Sequence, residues 1–350
     1  MADAVTAELR ELGLEVEEDG SAAETGSDAG NLLARLPGPE GSPWLLLCAH
    51  LDTVPLAAPV EVERTDDGVF RNRNDGILGA DNKAAVATIL GAVRRFAASG
   101  PPVGVELLFT TCEELALGGA KAFHRDRLQS RLGYVFDHAS PVGELIVGAP
   151  SYYRVAASFS GVAAHAGIRP EDGRNAIAAA ARAIAAMPLG RVDDATTANV
   201  GTIAGGSATN VVADSCHVEL ETRSLDEGRA SEMVQRLVDA ASEAAADSEC
   251  DLGTSVERLF SAYRLPRTAP AVELAAEALR SLGIEPFFRT TGGGSDANAL
   301  IAGDLPTVNV ANGTQGNHQP DESVSAAALE LMLDVTLALI GEGARWASSG

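Results

Sequence analysis

Residues 44–52 read Trp44-Leu45-Leu46-Leu47-Cys48-Ala49-His50-Leu51-Asp52. An apolar run ends on an imidazole and then a carboxylate. A continuous run of this length suits a strand buried on both faces, as in a parallel sheet covered by helices. Residues 103–111 form a second such run, Tyr134-Val135-Phe136 a third, and Thr307-Val308-Asn309-Val310 a fourth. Between the first two, residues 83–98 combine good helix formers with an apolar stripe at Val86, Ile89, Leu90 and Val93. The pattern predicts an α/β domain around a mostly parallel central sheet.

The middle of the chain follows another rhythm. Residues 154–160 alternate like a half-buried strand, and 175–187 form an alanine-rich helix stopped near Pro188. Strands follow at 198–204 and 216–223, an amphipathic helix at 231–245 and a last strand at 254–263. The order β-α-β-β-α-β is the ferredoxin-like split pattern. An α+β domain over residues 151–264 is therefore expected to interrupt a first domain made of residues 1–150 and 265–350. Two domains also suit a chain of 350 residues. The polar stretch 21–30 reads as a surface loop.

Bulk composition narrows the function. Hydrophobic content of 46% and charged content of 21% are ordinary for a globular protein. A net charge of -23 opposes a nucleic-acid partner, because phosphates would be repelled. No run of 18 or more apolar residues suggests a membrane span, and the N-terminus lacks the basic and apolar regions of a secretory signal. The four cysteines show no CxxC spacing, so buried thiols in a reducing, cytoplasmic compartment are expected.

Candidate ligands cluster just past the apolar runs. His50 and Asp52 follow the first, Glu113 and Glu114 the second, Asp137 the third, and His318 comes shortly after the fourth. Ligands of open α/β sheets bind beyond the carboxyl ends of the strands. Asp81, at the start of the helix after the first run, faces the same edge. Imidazole plus carboxylate suits zinc. With Asp81 bridging two ions, His50 and Asp137 complete one set and Glu114 and His318 the other. Each ion then has three protein ligands and a place for a shared water. Three carboxylates leave one net positive charge on two divalent ions, which a bound hydroxide cancels. Asp52 lies two residues after His50 on an extended chain, so it can fix the imidazole tautomer. Glu113 remains as a general base. Taken singly, each residue has a plainer reading: a satisfied histidine, a helix N-cap for Asp81, a solvated pair for Glu113 and Glu114, a turn residue for Asp137. Ligand types at four strand ends together favour metal.

These residues stand in stretches that resemble a known family. They are His50-Leu51-Asp52-Thr53-Val54, Asp75-Gly76-Ile77-Leu78-Gly79-Ala80-Asp81-Asn82-Lys83, Thr111-Cys112-Glu113-Glu114 and Gly316-Asn317-His318-Gln319-Pro320-Asp321-Glu322. Together they resemble the dinuclear-zinc metallopeptidases, the family of peptidase T, carboxypeptidase G, aminoacylase and succinyl-diaminopimelate desuccinylase. The peptidase T-like branch is the most similar. The resemblance implies a zinc-peptidase-like catalytic domain and two zinc ions per subunit, with cobalt or manganese as alternatives. It carries over the five ligands with Asp81 as bridge, Glu113 as base and Asp52 as the residue orienting His50. Aspartate at the Asp137 position resembles the family's aminopeptidases, where carboxypeptidases and deacylases usually carry glutamate. A two-metal aminopeptidase on di- or tripeptides is thus expected. An N-acyl amino acid amidohydrolase or a carboxypeptidase is the enzymatic alternative, and a metal-containing peptide-binding protein the non-enzymatic one.

The middle domain resembles the family's lid and dimerisation domain, which implies a homodimer. Gly161-Val162-Ala163-Ala164-His165-Ala166-Gly167 matches a lid histidine motif whose imidazole, in dimeric members, reaches the partner's active site. Asn210 matches a second lid residue of that kind, and Arg223 an arginine that binds a substrate carboxylate. Gly292 and Gly293, in Gly292-Gly293-Gly294-Ser295-Asp296, match a loop lining the substrate site. Their plainer readings are a surface arginine and a tight turn. His124, His138 and His217 are read as non-ligands. Family members also carry a helix ahead of the segment matching residues 5–18, so either a shortened start with a partly uncovered apolar face or a dispensable first helix is expected.

Overall fold

The structure, a computed structural model, describes residues 1–348. The described residues divide into two compact units, residues 1–148 with 264–348, and residues 149–263.

In the first unit, four parallel strands form the centre of a nine-stranded mixed sheet: Gly104–Thr110, Trp44–His50, Leu132–Val135 and Thr307–Val310, in that spatial order. These are the four apolar runs of the sequence. Every residue of Gly104–Thr110 is buried, as is all of Trp44–His50 except Trp44. Burial of both faces explains the absence of alternation. On one face Leu45, Leu47, Leu107, Phe109, Tyr134 and Val308 pack against the helices Ala2–Glu11, Ala80–Phe96, Pro270–Ser281 and Ala326–Ser348. The short helices Gly118–Ala122 and Asp296–Ala302 belong to the other face, the latter packing on the strands that carry His50 and Thr307.

The sheet is extended by strands outside those four runs. Val16–Glu18 and Leu32–Leu36 are antiparallel additions on one side. Glu144–Ala149 pairs antiparallel with Thr307–Val310 and parallel with Phe287–Thr290 on the other. The polar stretch at 21–30 is also more ordered than a surface loop. Ser21 is buried and precedes the helical turn Ala22–Thr25, while the Asp19 carboxylate accepts from the N–H groups of Ser21 and Asn31. Polar composition hid a turn whose hydrogen bonds are satisfied internally.

The second unit is a five-stranded antiparallel sheet whose main strands run in the order Thr196–Gly205, Ser215–Ser224, Ser151–Ser160, Asp251–Phe260. The helices Ala176–Ala186 and Glu227–Asp247 cover one face, burying Val155, Ala157, Phe159, Val218, Leu220, Met233 and Leu237. This is the ferredoxin-like arrangement. Each helix starts on a side-chain cap: Asn175 accepts from the Ala178 N–H, and Asp226 from the Arg229 N–H. Among the described residues, no helix is long and apolar enough to cross a membrane.

A carboxylate also lies inside the central sheet. Glu106 is fully buried, yet its carboxylate accepts from Arg35 Nε at 3.0 Å, Gln129 N at 2.9 Å, Ser130 N at 2.8 Å and Ser130 Oγ at 2.6 Å. Those bonds offset its desolvation. Glu106→Ala strands several buried donors and should cost about 3 kcal/mol in chemical denaturation. A loss under about 0.5 kcal/mol, the size of an ordinary surface substitution, would contradict this account.

Candidate metal centre

The parallel strands end side by side, and their last residues start the loops that build the site. His50 closes its strand with its side chain buried. Asp137 lies two residues past Leu132–Val135 and is fixed to the neighbouring strand by Asn309. Asn309 Oδ1 accepts the Asp137 N–H at 2.9 Å, and Asn309 Nδ2 donates to the Asp137 carbonyl at 2.8 Å. Asp81 opens the helix Ala80–Phe96, but Asp81 and Asn82 have non-helical backbone angles, so the regular helix begins near Lys83. Asp81 does not cap it; its side chain turns to two histidines instead.

Asp81 Oδ1 lies 3.0 Å from His50 Nε2, and Asp81 Oδ2 lies 3.2 Å from His318 Nε2. The remaining acids follow the same division. Asp137 Oδ1 is 3.8 Å from His50 Nε2, and Glu114 Oε1 is 3.0 Å from His318 Nε2. Two three-residue sets result, His50–Asp81–Asp137 and Asp81–Glu114–His318, each with ligand atoms within 4.8 Å of one another and with Asp81 common to both. His50, Glu113 and Glu114 satisfy the same criterion. His50 is buried, whereas the His318 side chain is 47% exposed, so the site opens to solvent on the His318 side. His318 also has a left-handed backbone, φ 67°, which non-glycine residues adopt seldom.

The electrostatics are those of a cation site. Burial opposes charge on Asp81, yet the His318 and His50 imidazoles hold its carboxyl well below the usual range. Burial pushes Glu113 well above that range, with the Asp137 charge adding to it, and it raises Asp137 and Glu114 as well. The Asp81 contact raises His318 to about 9. His50 Nδ1 and Glu114 Oε1 are buried without an aligned hydrogen bond, although both have an oppositely charged group nearby. Converging acids with two imidazoles and unmatched polar atoms fit divalent cations, whose charge would relieve the crowding.

Asp52 does more than face His50. Its Oδ1 is 3.4 Å from His50 Nδ1, a long contact, but the carboxylate also accepts the backbone N–H of Glu113 at 3.0 Å and of Glu114 at 3.1 Å. One side chain therefore ties the His50 strand to the Glu113–Glu114 turn. Lys83 Nζ donates to the Asp52 carbonyl at 2.6 Å, and burial lowers that ammonium to about 8.

Other members of the centre carry no obvious sequence signal. Asp296, in the glycine-rich stretch, is buried; its Oδ2 accepts from Thr110 Oγ1 at 2.5 Å, and burial raises it to about 7. Asn309 interrupts an apolar run, which was the available clue. Gly292 and Gly293 lie in the loop ahead of helix Asp296–Ala302, and an added Cβ would meet nothing closer than 3.8 Å at either. Packing does not demand glycine there.

The remaining predicted residues lie in the second unit. His165 forms an isolated bridge with Val211, and the Asn210 carbonyl accepts the Ala166 N–H at 3.0 Å, so these two segments adjoin. Arg223, on Ser215–Ser224, pairs with Glu221 at 3.2 Å and stacks over the Tyr152 ring at 4.2 Å. His217 bonds Ser158 and Glu219 on the same sheet. His124 and His138 belong to neither ligand set.

Known proteins share this organisation. Residues 46–342 match the peptidase family M20/M25/M40. The chain is 36% identical over 336 residues to the uncharacterized protein YqjE of Bacillus subtilis (strain 168), covering 96% of this chain and 90% of that one. It superposes on aminopeptidase PepT from Bacillus cereus ATCC 10987 with a TM-score of 0.88 and 35% identity, over 98% of this chain and 92% of that chain. For a tripeptidase from Staphylococcus aureus subsp. aureus Mu50 the TM-score is 0.92 and the identity 33%, with the same coverage. Because the family match runs from the His50 strand to beyond His318, the chain belongs to peptidase family M20/M25/M40 and is a metallopeptidase of the peptidase T-like kind.

Proposed function

We propose that this peptidase is a two-metal aminopeptidase acting on di- or tripeptides. The observation that carries the reading is the division of Asp81, whose two oxygens face imidazoles from opposite ends of the chain. His50, Asp81 and Asp137 would hold one cation and Asp81, Glu114 and His318 the other. The nitrogen and oxygen donors favour zinc, with cobalt or manganese as substitutes. When bound, such a pair polarises the scissile carbonyl and makes water more acidic.

The residues around the pair perform the remaining tasks. Glu113, kept basic by burial beside Asp137, takes a proton from the attacking water and returns it to the leaving amine nitrogen. Asp52 holds Glu113 and Glu114 in register through their backbone N–H groups. Gly292 and Gly293 leave room for substrate to approach the backbone. Arg223, oriented by Glu221 and Tyr152, is suited to a peptide carboxylate. His165 and Asn210 would act as polarising donors across a homodimer formed by the lid unit. Aspartate at 137, together with the aminopeptidase and tripeptidase among the similar structures, supports free-amine peptides as substrates. Four free cysteines support a cytoplasmic, reducing setting.

Three experiments test the reading. Glu113→Gln should lower kcat by about 10²–10⁴-fold with metal content unchanged, while Asp52→Asn should lose roughly 10–100-fold and bind metal more weakly. Retained turnover in Glu113→Gln would remove it as the base. Free-amine tripeptides should be cleaved from the N-terminus in a panel that includes N-acyl amino acids and N-blocked peptides; turnover of the acylated compounds alone would make the protein an amidohydrolase. Sedimentation should give a dimer, and His165→Ala should reduce kcat at least 10-fold without releasing metal. A fully active monomer would refute the lid assignment.

A further inference from the structure

We propose that Glu322 is the positioning residue for Asp81, so that a single carboxylate outside the ligand set controls both cation positions. The proposal rests on the two-metal reading. Glu322 is buried, at 1% exposure, and uses both oxygens on the backbone that carries Asp81. Oε1 accepts the Asp81 N–H at 2.7 Å, and Oε2 accepts the Gly79 N–H at 2.7 Å. Gly79 is left-handed, with φ 76°, a conformation that costs glycine little. The two N–H groups thus converge on one anion, and bonds to an ionised acceptor are roughly twice as strong as neutral ones.

The segment bearing Glu322 also supplies His318. It is braced internally by Gln319 N–H to the Gly316 carbonyl at 2.9 Å, by Glu322 N–H to the Gln319 carbonyl at 3.0 Å, and by the bridge between Gln315 and Ser323. It reaches the Asp81 side chain as well, since Asn317 Nδ2 donates to Asp81 Oδ2 at 3.0 Å. Asp81 is therefore held at its backbone by Glu322, and at its carboxylate by Asn317 and His318, all from one loop. Loss of Glu322 frees two buried N–H groups and loosens the carboxylate common to both sets. Both positions should weaken together. Loss of His318 removes a donor from one set only.

The test is zinc titration into the metal-free full-length protein against a chromogenic chelator. The parent, Glu322→Gln, Glu322→Ala and His318→Ala are compared, with circular dichroism and thermal midpoints recorded for each. The isosteric glutamine keeps one acceptor but turns an amide donor toward the other N–H. Both zinc equivalents should bind about 10–100-fold more weakly in Glu322→Gln and at least as weakly in Glu322→Ala, with native circular dichroism. Excess zinc should restore much of the Glu322→Gln peptidase activity, whereas His318→Ala should lose affinity for one equivalent. If the alanine variant does not fold, the glutamine variant decides. Folded Glu322 variants that bind both equivalents like the parent, with only a lower thermal midpoint, would reduce Glu322 to a structural residue and overturn the proposal. A parent that takes up fewer than two equivalents would overturn the two-metal reading itself, whatever the variants do.

Discussion

The structure turns on one buried carboxylate with two imidazoles. Asp81 faces His50 through one oxygen and His318 through the other, with Asp137, Glu113 and Glu114 crowded around them. Acids collected in a low-dielectric pocket repel one another, and a group denied a counter-charge takes up a proton instead. Burial raises the affinities for protons at Glu113, Asp137 and Glu114, and the neighbouring acid charges add to it. Cations would relieve that crowding, and the family match supplies the chemical context.

The scaffold explains how the crowding is tolerated. Parallel strands place His50 and the segments leading to Glu113, Asp137 and His318 at one sheet edge. Residues outside the ligand sets then fix the loops. Asn309 locks Asp137 to the neighbouring strand, and Asp52 gathers the Glu113 and Glu114 N–H groups. Asp296 anchors the end of the Thr110 strand from below. Each of these is a polar side chain used on backbone or hydroxyl, which rigidifies a site without adding to its ligands.

Much of this was legible in the sequence for a physical reason. Strands buried on both faces must be continuously apolar, so four runs announced the parallel centre and the polar residues after them announced its functional edge. The ferredoxin-like order of the second unit was readable from its alternation, its alanine-rich helix and its amphipathic helix. The edge strand Val16–Glu18 was not, because it is only three residues and largely exposed, with little apolar surface to betray it. Nor did the sequence reveal the role of Glu322 or the second role of Asp52. A carboxylate that accepts from backbone N–H groups looks, as a letter, like any other acid; its meaning lies in acceptor direction, which spacing does not encode. Glu106 shows the converse, a charge inside an apparently apolar run that only the distant Arg35 and Ser130 make tolerable.

The most direct test of the account is the anomalous scattering from crystals of the zinc-loaded protein. Two peaks roughly 3.5–4 Å apart should flank Asp81, one beside His50 and Asp137, the other beside Glu114 and His318. A single peak, or peaks away from Asp81, would contradict the claim that this carboxylate bridges a metal pair.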